Sequence, residues 1–261
     1  MKKRLLGACL AAGLAASGAA LGADLPSRVE PAPIAPLPSW AFQATVYGWA
    51  TALDGDVGLR YRRPIGVNVG FDQILDHLKG VFMGAFQARN DTWMFLGDVV
   101  WSKLGANRTN RFGGQLDYEQ TLGLLAGYVG YRIPIGSPDL DVRVLAGARA
   151  QRLSADIRHS GVIPALDLSA SGSKEWVDPL VGLSATYAFD KHWYMNAIAD
   201  IGGFGVGSRI TTQGFLAVGY KWTETLSTSV GYRALYTDYD KGGFVYRTTL
   251  HGVFTGLSVH F

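Results

Sequence analysis

The side chains of this sequence that could do chemistry are mainly histidines and carboxylates, and their spacing forms no metal or catalytic motif. The five histidines are scattered along the chain, at His77, His159, His192, His251 and His260. None has a second histidine four residues away, as a helical zinc motif requires. The single cysteine, Cys9, lies in the apolar N-terminal segment. We therefore expect no metal, no cofactor, no thiolate chemistry and no disulfide framework.

A catalytic alternative rests on two pairs of titratable residues. Asp76 precedes His77 in the first long connection, and Asp238 and Asp240 lie near the end of a late apolar segment. A carboxylate beside a histidine is a common acid–base pair in hydrolases. Acids and histidines are equally common in solvated loops, so we keep a hydrolase with a rim site only as an alternative and expect no catalytic residues.

The elements that carry these groups have a period of two, which is typical of β-strands. Ten segments show it, at residues 40–53, 80–89, 92–104, 120–133, 140–155, 176–189, 193–201, 210–222, 226–237 and 246–261. Most are longer than a strand of a soluble sandwich, and a tilted strand crossing a bilayer needs about 9–11 residues. Short connections alternate with long ones, as in an up-and-down barrel. We predict an all-β antiparallel transmembrane barrel of about ten strands, with eight or twelve as alternatives.

Charged side chains occupy one face of these segments and apolar ones the other. In 140–153, for example, Arg143 and Arg149 alternate with Val142 and Val144. Facing the lumen we predict Arg89, Asp98, Arg143, Arg149, Asp178, Asp200, Lys221 and Arg233. They could form a constriction that selects small solutes by charge, or a plug of ion pairs. Since a barrel of eight strands is already nearly filled and open channels appear at about 16–18, we favour the plug.

Aromatic residues on the apolar face distinguish a membrane barrel from a soluble sandwich. They cluster at the ends of the segments, where we predict a girdle of Trp93, Trp101, Tyr187, Trp193, Trp222 and Tyr236. A sandwich gives no reason for this placement. Amphipathic rings settle at the headgroup level of a bilayer, so their position favours the transmembrane barrel.

The two ends of the chain indicate export. Residues 1–23 combine a basic start with an apolar run and a small residue at position 23, which predicts a secretory signal peptide. Its three basic residues leave 21 Lys+Arg against 21 Asp+Glu, down from 24 against 21, so a nucleic-acid partner is not expected. Residues 24–38 contain five prolines and read as an extended periplasmic tail before a barrel at 39–261. At the other end Val253, Leu257, Val259 and Phe261 share a face, and they resemble the terminal signature that the outer-membrane assembly machinery recognises.

The first long connection holds a possible helix at residues 71–79. Asp72 is placed to cap it, and Ile74, Leu75 and Leu78 would share one face. Such a helix could fold inward as a lid or pack on the rim of the barrel. Just before it, Arg60, Arg62 and Arg63 could contact anionic lipopolysaccharide.

Three blocks carry a family resemblance, namely FDQILDHL at 71–78, WVDPLVG at 176–182 and VGYRALYTDYD at 230–240. With the ADLP start of the tail and the terminal aromatic strand, they resemble a largely uncharacterised subgroup of small porin-like outer-membrane proteins of alphaproteobacteria. The resemblance implies fold and location in the bacterial outer membrane, with lipid, lipopolysaccharide and the assembly machinery as partners. It supplies no catalytic residues.

Together these features predict a porin-like or structural outer-membrane barrel with at most a narrow passive channel. A rim-site hydrolase and a barrel that recognises surface ligands through its extracellular loops remain as alternatives. The oligomeric state is not predicted.

Overall fold

The structure, a computed structural model, describes residues 39–59, 64–109, 115–160 and 168–261. The predicted signal peptide, the proline-rich tail and Arg60, Arg62 and Arg63 lie outside these residues. No helix in the described ranges is long and apolar enough to cross a membrane.

Ten long antiparallel strands form a closed barrel. The strands are β1 Ala41–Leu59, a short β2 Ile65–Val69, β3 Leu78–Arg89, β4 Trp93–Thr109, β5 Gln115–Ile133, β6 Leu140–Ser160, β7 Leu168–Ala188, β8 Trp193–Gly202, β9 Ile210–Lys221, β10 Leu226–Lys241 and β11 Phe244–His260, with helix α1 Phe71–Asp76. From β3 to β11 each strand pairs with the next in the chain, and β1 pairs with both β3 and β11. The predicted ten-stranded up-and-down barrel with a short helix in its first long connection is confirmed.

The barrel closes where the two ends of its chain meet. Phe42 and Phe261 exchange both backbone hydrogen bonds, at 2.8 and 3.0 Å, and their rings stack at 5.7 Å. From there β1 and β11 pair without interruption, from Gln43 opposite His260 to Leu59 opposite Phe244. Closure leaves no free sheet edge along this side of the barrel, which a lipid environment requires.

Several strands extend beyond their predicted ends. The predicted connections 105–119, 156–175 and 238–245 were wrong in large part. Strand β4 continues to Thr109 and β5 already begins at Gln115, while β6 continues to Ser160 and β7 already begins at Leu168. Strands β10 and β11 leave only Gly242 and Gly243 between them, both at positive φ. Most of the extensions are rich in small and polar residues, as in GANRT at 105–109 and DIRHS at 156–160, so no apolar alternation marks them as strands.

One seam of the wall is interrupted. Strand β1 pairs with β3 only from Ala41 to Val46, and with β2 only from Leu53 to Val57. Between these ladders β1 has six residues, 47–52, whereas the opposite side has fourteen, 70–83. The excess of eight equals the segment 70–77 that contains α1. The helix begins after Gly70, so the prediction of Asp72 as its cap was wrong; Gly70 has the extended backbone of an N-cap, and Asp72 lies inside the first turn.

Apolar side chains face outward and charged side chains face inward. Val144, Trp193 and Leu257 are 43%, 48% and 50% exposed on the outer face, whereas Arg149 and Asp200 are 1% and 6% exposed inside. A soluble β-protein would show the reverse. The outer face is therefore the surface that a transmembrane barrel presents to hydrocarbon.

Candidate functional site: the lumen

The centre of the lumen holds an arginine that bridges three strands. Arg233 on β10 donates through Nη2 to Asp98 Oδ1 at 2.8 Å and through Nη1 to the Tyr47 hydroxyl at 2.9 Å. Tyr47 donates in turn to Asp98 Oδ2 at 2.7 Å. The guanidinium also lies over the Trp49 ring, 4.8 Å from its centre. These contacts satisfy the charge of Arg233 on all sides.

A second buried pair lies on the opposite wall. Arg149 on β6 donates through Nη2 to both carboxylate oxygens of Asp200, each at 2.9 Å, and Tyr128 donates to the same carboxylate at 2.9 Å. Gln213 joins the two halves, because its amide nitrogen donates to Asp200 at 3.2 Å and its oxygen accepts from Arg233 at 2.8 Å. One polar network therefore crosses the bore of the barrel.

Apolar side chains fill the space beside this network. Trp49, Met83, Val100 and Leu250 pack in one cluster with Leu235 and Phe254. Each of the ten barrel strands contributes an inward side chain that is between 1% and 9% exposed: Trp49, Met83, Val100, Leu124, Arg149, Leu180, Asp200, Gln213, Arg233 and Phe254. Side chains lining a water-filled passage would be accessible to water. The lumen is therefore closed at mid-height.

Two further layers lie above and below the closure. Towards the end with the long hairpins Trp176 stacks on Tyr239 at 4.3 Å between ring centres and lies 6.0 Å from Tyr246. Towards the end with the short turns lies a cavity of about 130 Å³, whose polar lining includes Gln43, Thr45, Gln87, Asn196, Ser229 and Ser258. Apolar side chains such as Met94, Leu96 and Phe254 line the same small pocket below the network.

The remaining predicted lumen residues point inward but lie outside the central network. Arg143 is buried near the end with the short turns, where it pairs with Asp141 at 2.7 Å and donates to the Asn90 carbonyl at 2.9 Å. Arg89 is half-buried, and Lys221 is exposed at the base with its Nζ 5.9 Å from the Tyr194 ring centre. Asp178 accepts from the Ser208 N–H at 2.6 Å, and its other carboxylate oxygen has no hydrogen-bond partner among the described residues.

Sequence reasoning missed the uncharged members of the network. Tyr47, Tyr128, Gln213 and Trp49 were not singled out, because we searched the inner face for charge. Their signal was available in the alternation, since each occupies an inward position of its strand. A buried ion pair leaves lone pairs and N–H groups that must find neutral partners, so such residues are to be expected.

The predicted aromatic girdle lies on the outer face. Trp93, Trp101, Trp193 and Trp222 are exposed there, whereas Tyr187 and Tyr236 are half-buried in outward register. Near the short turns the rings pack edge to face, as between Trp193 and Tyr220 at 5.0 Å. The predicted terminal signature is outward as well, with Val253, Leu257, Val259 and Phe261 exposed.

Two of the short turns, those at Asn90 and Asp190, are stabilised in the same way. Asn90 Oδ1 accepts from the N–H groups of Thr92 and Trp93, at 2.8 and 2.6 Å. Asp190 Oδ1 does the same for His192 and Trp193, at 2.6 and 2.7 Å. These N–H groups, that of Trp193 foremost, lower the pKa of the exposed Asp190 carboxyl because they stabilise its charged form.

The two residue pairs of the hydrolase alternative, Asp76 with His77 and Asp238 with Asp240, make separate contacts. His77 Nδ1 is 2.7 Å from the Gln73 carbonyl, on the exposed helix α1. Asp238 and Asp240 are bound by Arg247, at 3.1 and 3.2 Å. Within the described ranges no hydrogen bond or ion pair joins the two pairs, and no group of three or more potential metal ligands occurs.

Comparisons with known proteins give fold neighbours and nothing closer. No protein-family model matches the chain, and no curated protein matches it. The chain is similar to the outer-membrane protease OmpT of Escherichia coli, at 11% identity over 86% of this chain and 97% of that one, with a TM-score of 0.49. It is also similar to Ail, the attachment invasion locus protein of Yersinia pestis, at 12% identity over 86% and 100%, with a TM-score of 0.39. A third neighbour is the toluene transporter TodX of P. putida, at 11% identity over 87% and 90%, with a TM-score of 0.31. The likeness concerns the barrel, and the printed roles of these neighbours differ from one another.

Proposed function

We propose that this chain is an outer-membrane barrel that is closed to water and anchors long extracellular hairpins at the cell surface. It reaches the membrane through a cleaved signal peptide at residues 1–23 and the outer-membrane assembly machinery. Membrane lipid and lipopolysaccharide surround it. The observation that carries the proposal is the ring of buried inward side chains to which all ten barrel strands contribute.

The network that fills the lumen is suited to sealing rather than to conduction. Arg233 is neutralised by Asp98 and Arg149 by Asp200, so both buried arginines of the network are held by a counter-ion. Opening a passage would separate these pairs. Removing one partner of a buried pair costs about 3–5 kcal/mol, because it leaves the other charge buried and unpaired. A porin needs a passage whose lining stays wet.

The length of the strands supports the display of hairpins. Strands β6 and β7 are each 21 residues long, whereas a tilted strand crosses the hydrocarbon with about 9–11. Roughly half of this hairpin therefore stands outside the bilayer. Its charged side chains Arg152 and Glu175 are largely exposed, 67% and 76%. Such a surface is available to an extracellular ligand.

Conductance tests the closed lumen. We expect the wild-type protein, reconstituted in planar bilayers, to give no stepwise current at voltages where a sixteen-stranded porin conducts. Arg233→Ala serves as the matched variant, because it removes the central side chain of the network. Steps in the wild type whose size changes in Arg233→Ala would show passage through the lumen, which would replace the sealed scaffold by a narrow channel.

Shortening a hairpin tests display. Asp156 lies opposite Ser171, so replacing residues 156–171 by an Asn-Gly turn keeps the register of β6 and β7 below it. We expect this variant to assemble normally and to lose binding to purified lipopolysaccharide or extracellular-matrix proteins that the wild type retains. Equal binding by both forms, or none by either, would remove the recognition role from this hairpin.

A further inference from the structure

The interrupted seam leaves a window in the barrel wall. Above Val46 and Gly84 the two neighbouring strands separate, and β1 regains a partner only at Leu53, opposite Val69 of β2. A cavity of about 460 Å³ fills this wedge, within the range of lipid and drug-sized ligand sites. It is lined from both sides of the wall, by outward residues such as Val46, Phe82 and Val253 and by inward ones such as Trp49, Met83 and Leu250.

The lining of the window is mostly apolar, with Thr51, Ser102 and Gln120 among its few polar side chains. On the outer face of β1 the residues at the window are small, namely Gly48 and Ala50, so the path from the outer surface to the interior is not blocked by a large side chain. Behind them the floor consists of Val100, Leu122 and the Trp49 cluster. Hydrocarbon fits this surface far better than water does.

The helix α1 roofs the window. Phe71, Ile74 and Leu75 line the cavity, while Asp72 and Asp76 on its other side are exposed to solvent. The helix is therefore amphipathic, with its apolar side towards the window. Phe71 and Leu75 remain 43% and 53% exposed, so this apolar side is only partly covered by the protein itself.

The outer face fixes the depth of the window in the bilayer. On β3 to β5 the surface changes from Phe82 and Trp101 to a charged group of Lys79, Lys103 and Glu119, which form ion pairs at 2.8 and 3.0 Å. On the other flank Val253 gives way to His251, which bonds to Asp54 and Tyr232, each at 2.7 Å. The window lies just below both polar groups, at the extracellular end of β3. It therefore opens into the hydrocarbon of the outer leaflet.

We propose that this window is a binding site for one acyl chain of an outer-leaflet lipid. The apolar lining is continuous with the lipid-facing belt through Val46, Phe82 and Val253, so lipid chains are the molecules that reach it first. The polar groups around His251 and Lys79 lie where the headgroup of that lipid would stand. The proposal goes beyond the sealed lumen, because the window connects to hydrocarbon and the sealed lumen excludes water.

The geometry of the seam allows the window to be closed by deletion. Removing residues 70–77 brings the fourteen residues opposite 47–52 down to six, so β2 and β3 become one strand in a single register with β1. Eight is an even number, so the inward and outward faces of β2 and of β3 from Gly80 onward are preserved, while the β-bulge of β3 at Lys79 against β4 is absorbed at the junction. The deletion therefore seals the wall and leaves the lumen network, which contains none of these residues, in place.

Photo-crosslinking tests the site. The full barrel is placed in nanodiscs of phosphatidylcholine that carries a diazirine in the middle of an acyl chain, and labelled residues are read by mass spectrometry. We expect labels on inward window residues, Trp49, Met83 or Leu122, which an unbroken wall would shield. In the variant lacking 70–77 these labels should disappear, while the outward residues Val144 and Val181 stay labelled.

A point variant provides a second test in case the deletion variant does not assemble. Ala50→Trp places a large ring in the window from the outer face and should abolish inward labelling in a folded, heat-modifiable barrel. Labels confined to outward residues in the wild type would overturn the proposal. So would inward labels that persist in a correctly folded sealed variant, or inward labelling by a free photoreactive alkane and not by the phospholipid. A conducting lumen, by contrast, would overturn the sealed scaffold and leave this result unchanged.

Discussion

The two sides of this barrel differ in both wall and interior. On the side of β5 to β8 the ladders are unbroken, as between Gln115 and Ile133 of β5 and their partners on β6, and the interior behind them is charged, with Arg149 and Asp200. On the side of β1 and β3 the wall has a window, and the interior behind it is the apolar cluster around Trp49 and Leu250 together with Tyr47, which bonds to the Arg233–Asp98 pair. The lining of the window is thus mostly apolar, whereas the unbroken wall encloses the Arg149–Asp200 pair.

This difference has a simple energetic reason. A buried ion pair is stable only when polar partners compensate both charges, since removing two charges from water costs free energy. Placed behind an opening to hydrocarbon, such a pair would lose the polar partners that compensate it. Apolar side chains lose nothing when a lipid chain contacts them. A sealed wall is therefore required over the Arg149–Asp200 pair and optional over the mostly apolar lining of the window.

The largest effect is expected from breaking the Arg149–Asp200 pair. Asp200→Ala should lower the free energy of unfolding by about 3–5 kcal/mol, because Arg149 is left buried without its counter-ion. Urea unfolding in lipid vesicles, followed by tryptophan fluorescence, measures this. The double variant Arg149→Met with Asp200→Leu should regain most of the loss, since it removes both charges.

A surface pair supplies the control for that experiment. Arg152 and Glu175 lie 3.8 Å apart and are mostly exposed. Glu175→Ala should change the free energy of unfolding by no more than about 1 kcal/mol, the usual range of an exposed ion pair. Equal losses in Glu175→Ala and Asp200→Ala would show that burial does not set the value of the Arg149–Asp200 pair, and the contrast between the two halves would fail.

A smaller effect, of opposite sign, is expected from repairing the interrupted half. The variant lacking residues 70–77 gains a ladder between 47–52 and the six residues that then face them. Each net hydrogen bond contributes about 0.5–1.5 kcal/mol, so the free energy of unfolding should rise by a few kcal/mol, less the lost packing of α1. The same urea titration measures it. A less stable variant would mean that α1 and its contacts hold the seam together better than strand pairing does.

The features that follow a strict period were predictable from sequence. Ten strands, the inward Arg149 and Asp200 and the outward Trp193 all follow from alternation, because hydrocarbon outside and an enclosed interior impose opposite chemistries on adjacent residues. The strand extensions, such as the far end of β6, were not predicted because their mainly small and polar residues show no apolar alternation. Periodicity carries information only where the two faces of a strand differ.

The window and the partners of the bridging residues could not be read from local pattern, although the alternation does mark those residues as inward. The window depends on an excess of eight residues between two ladders, which is visible only once the register of both is known. Gln213 and Tyr47 take their places because they lie within reach of the two ion pairs, a fact about distance across the bore rather than about sequence. The cap of α1 was misplaced by two residues, since Gly70 offers no side chain to recognise.

The smallest effect is expected at the short turn between β7 and β8, at the end of the barrel away from the Arg149–Asp200 pair and the window. The pKa of Asp190 is lowered in the folded state by the N–H groups of Trp193 and His192, so its contribution to stability is present above the pKa of the unfolded chain, about 4. The contribution is lost as the pH falls through the lower, folded pKa.

The variant Asp190→Asn keeps the accepting oxygen and removes the charge, as Asn90 does naturally in the equivalent turn. The stability difference between wild type and Asp190→Asn should therefore be constant from pH 7 to 5 and shrink below about pH 4. Unfolding titrations across this range measure it, and a difference that grows as the pH falls would mean that the charged carboxylate is not the form that the turn stabilises.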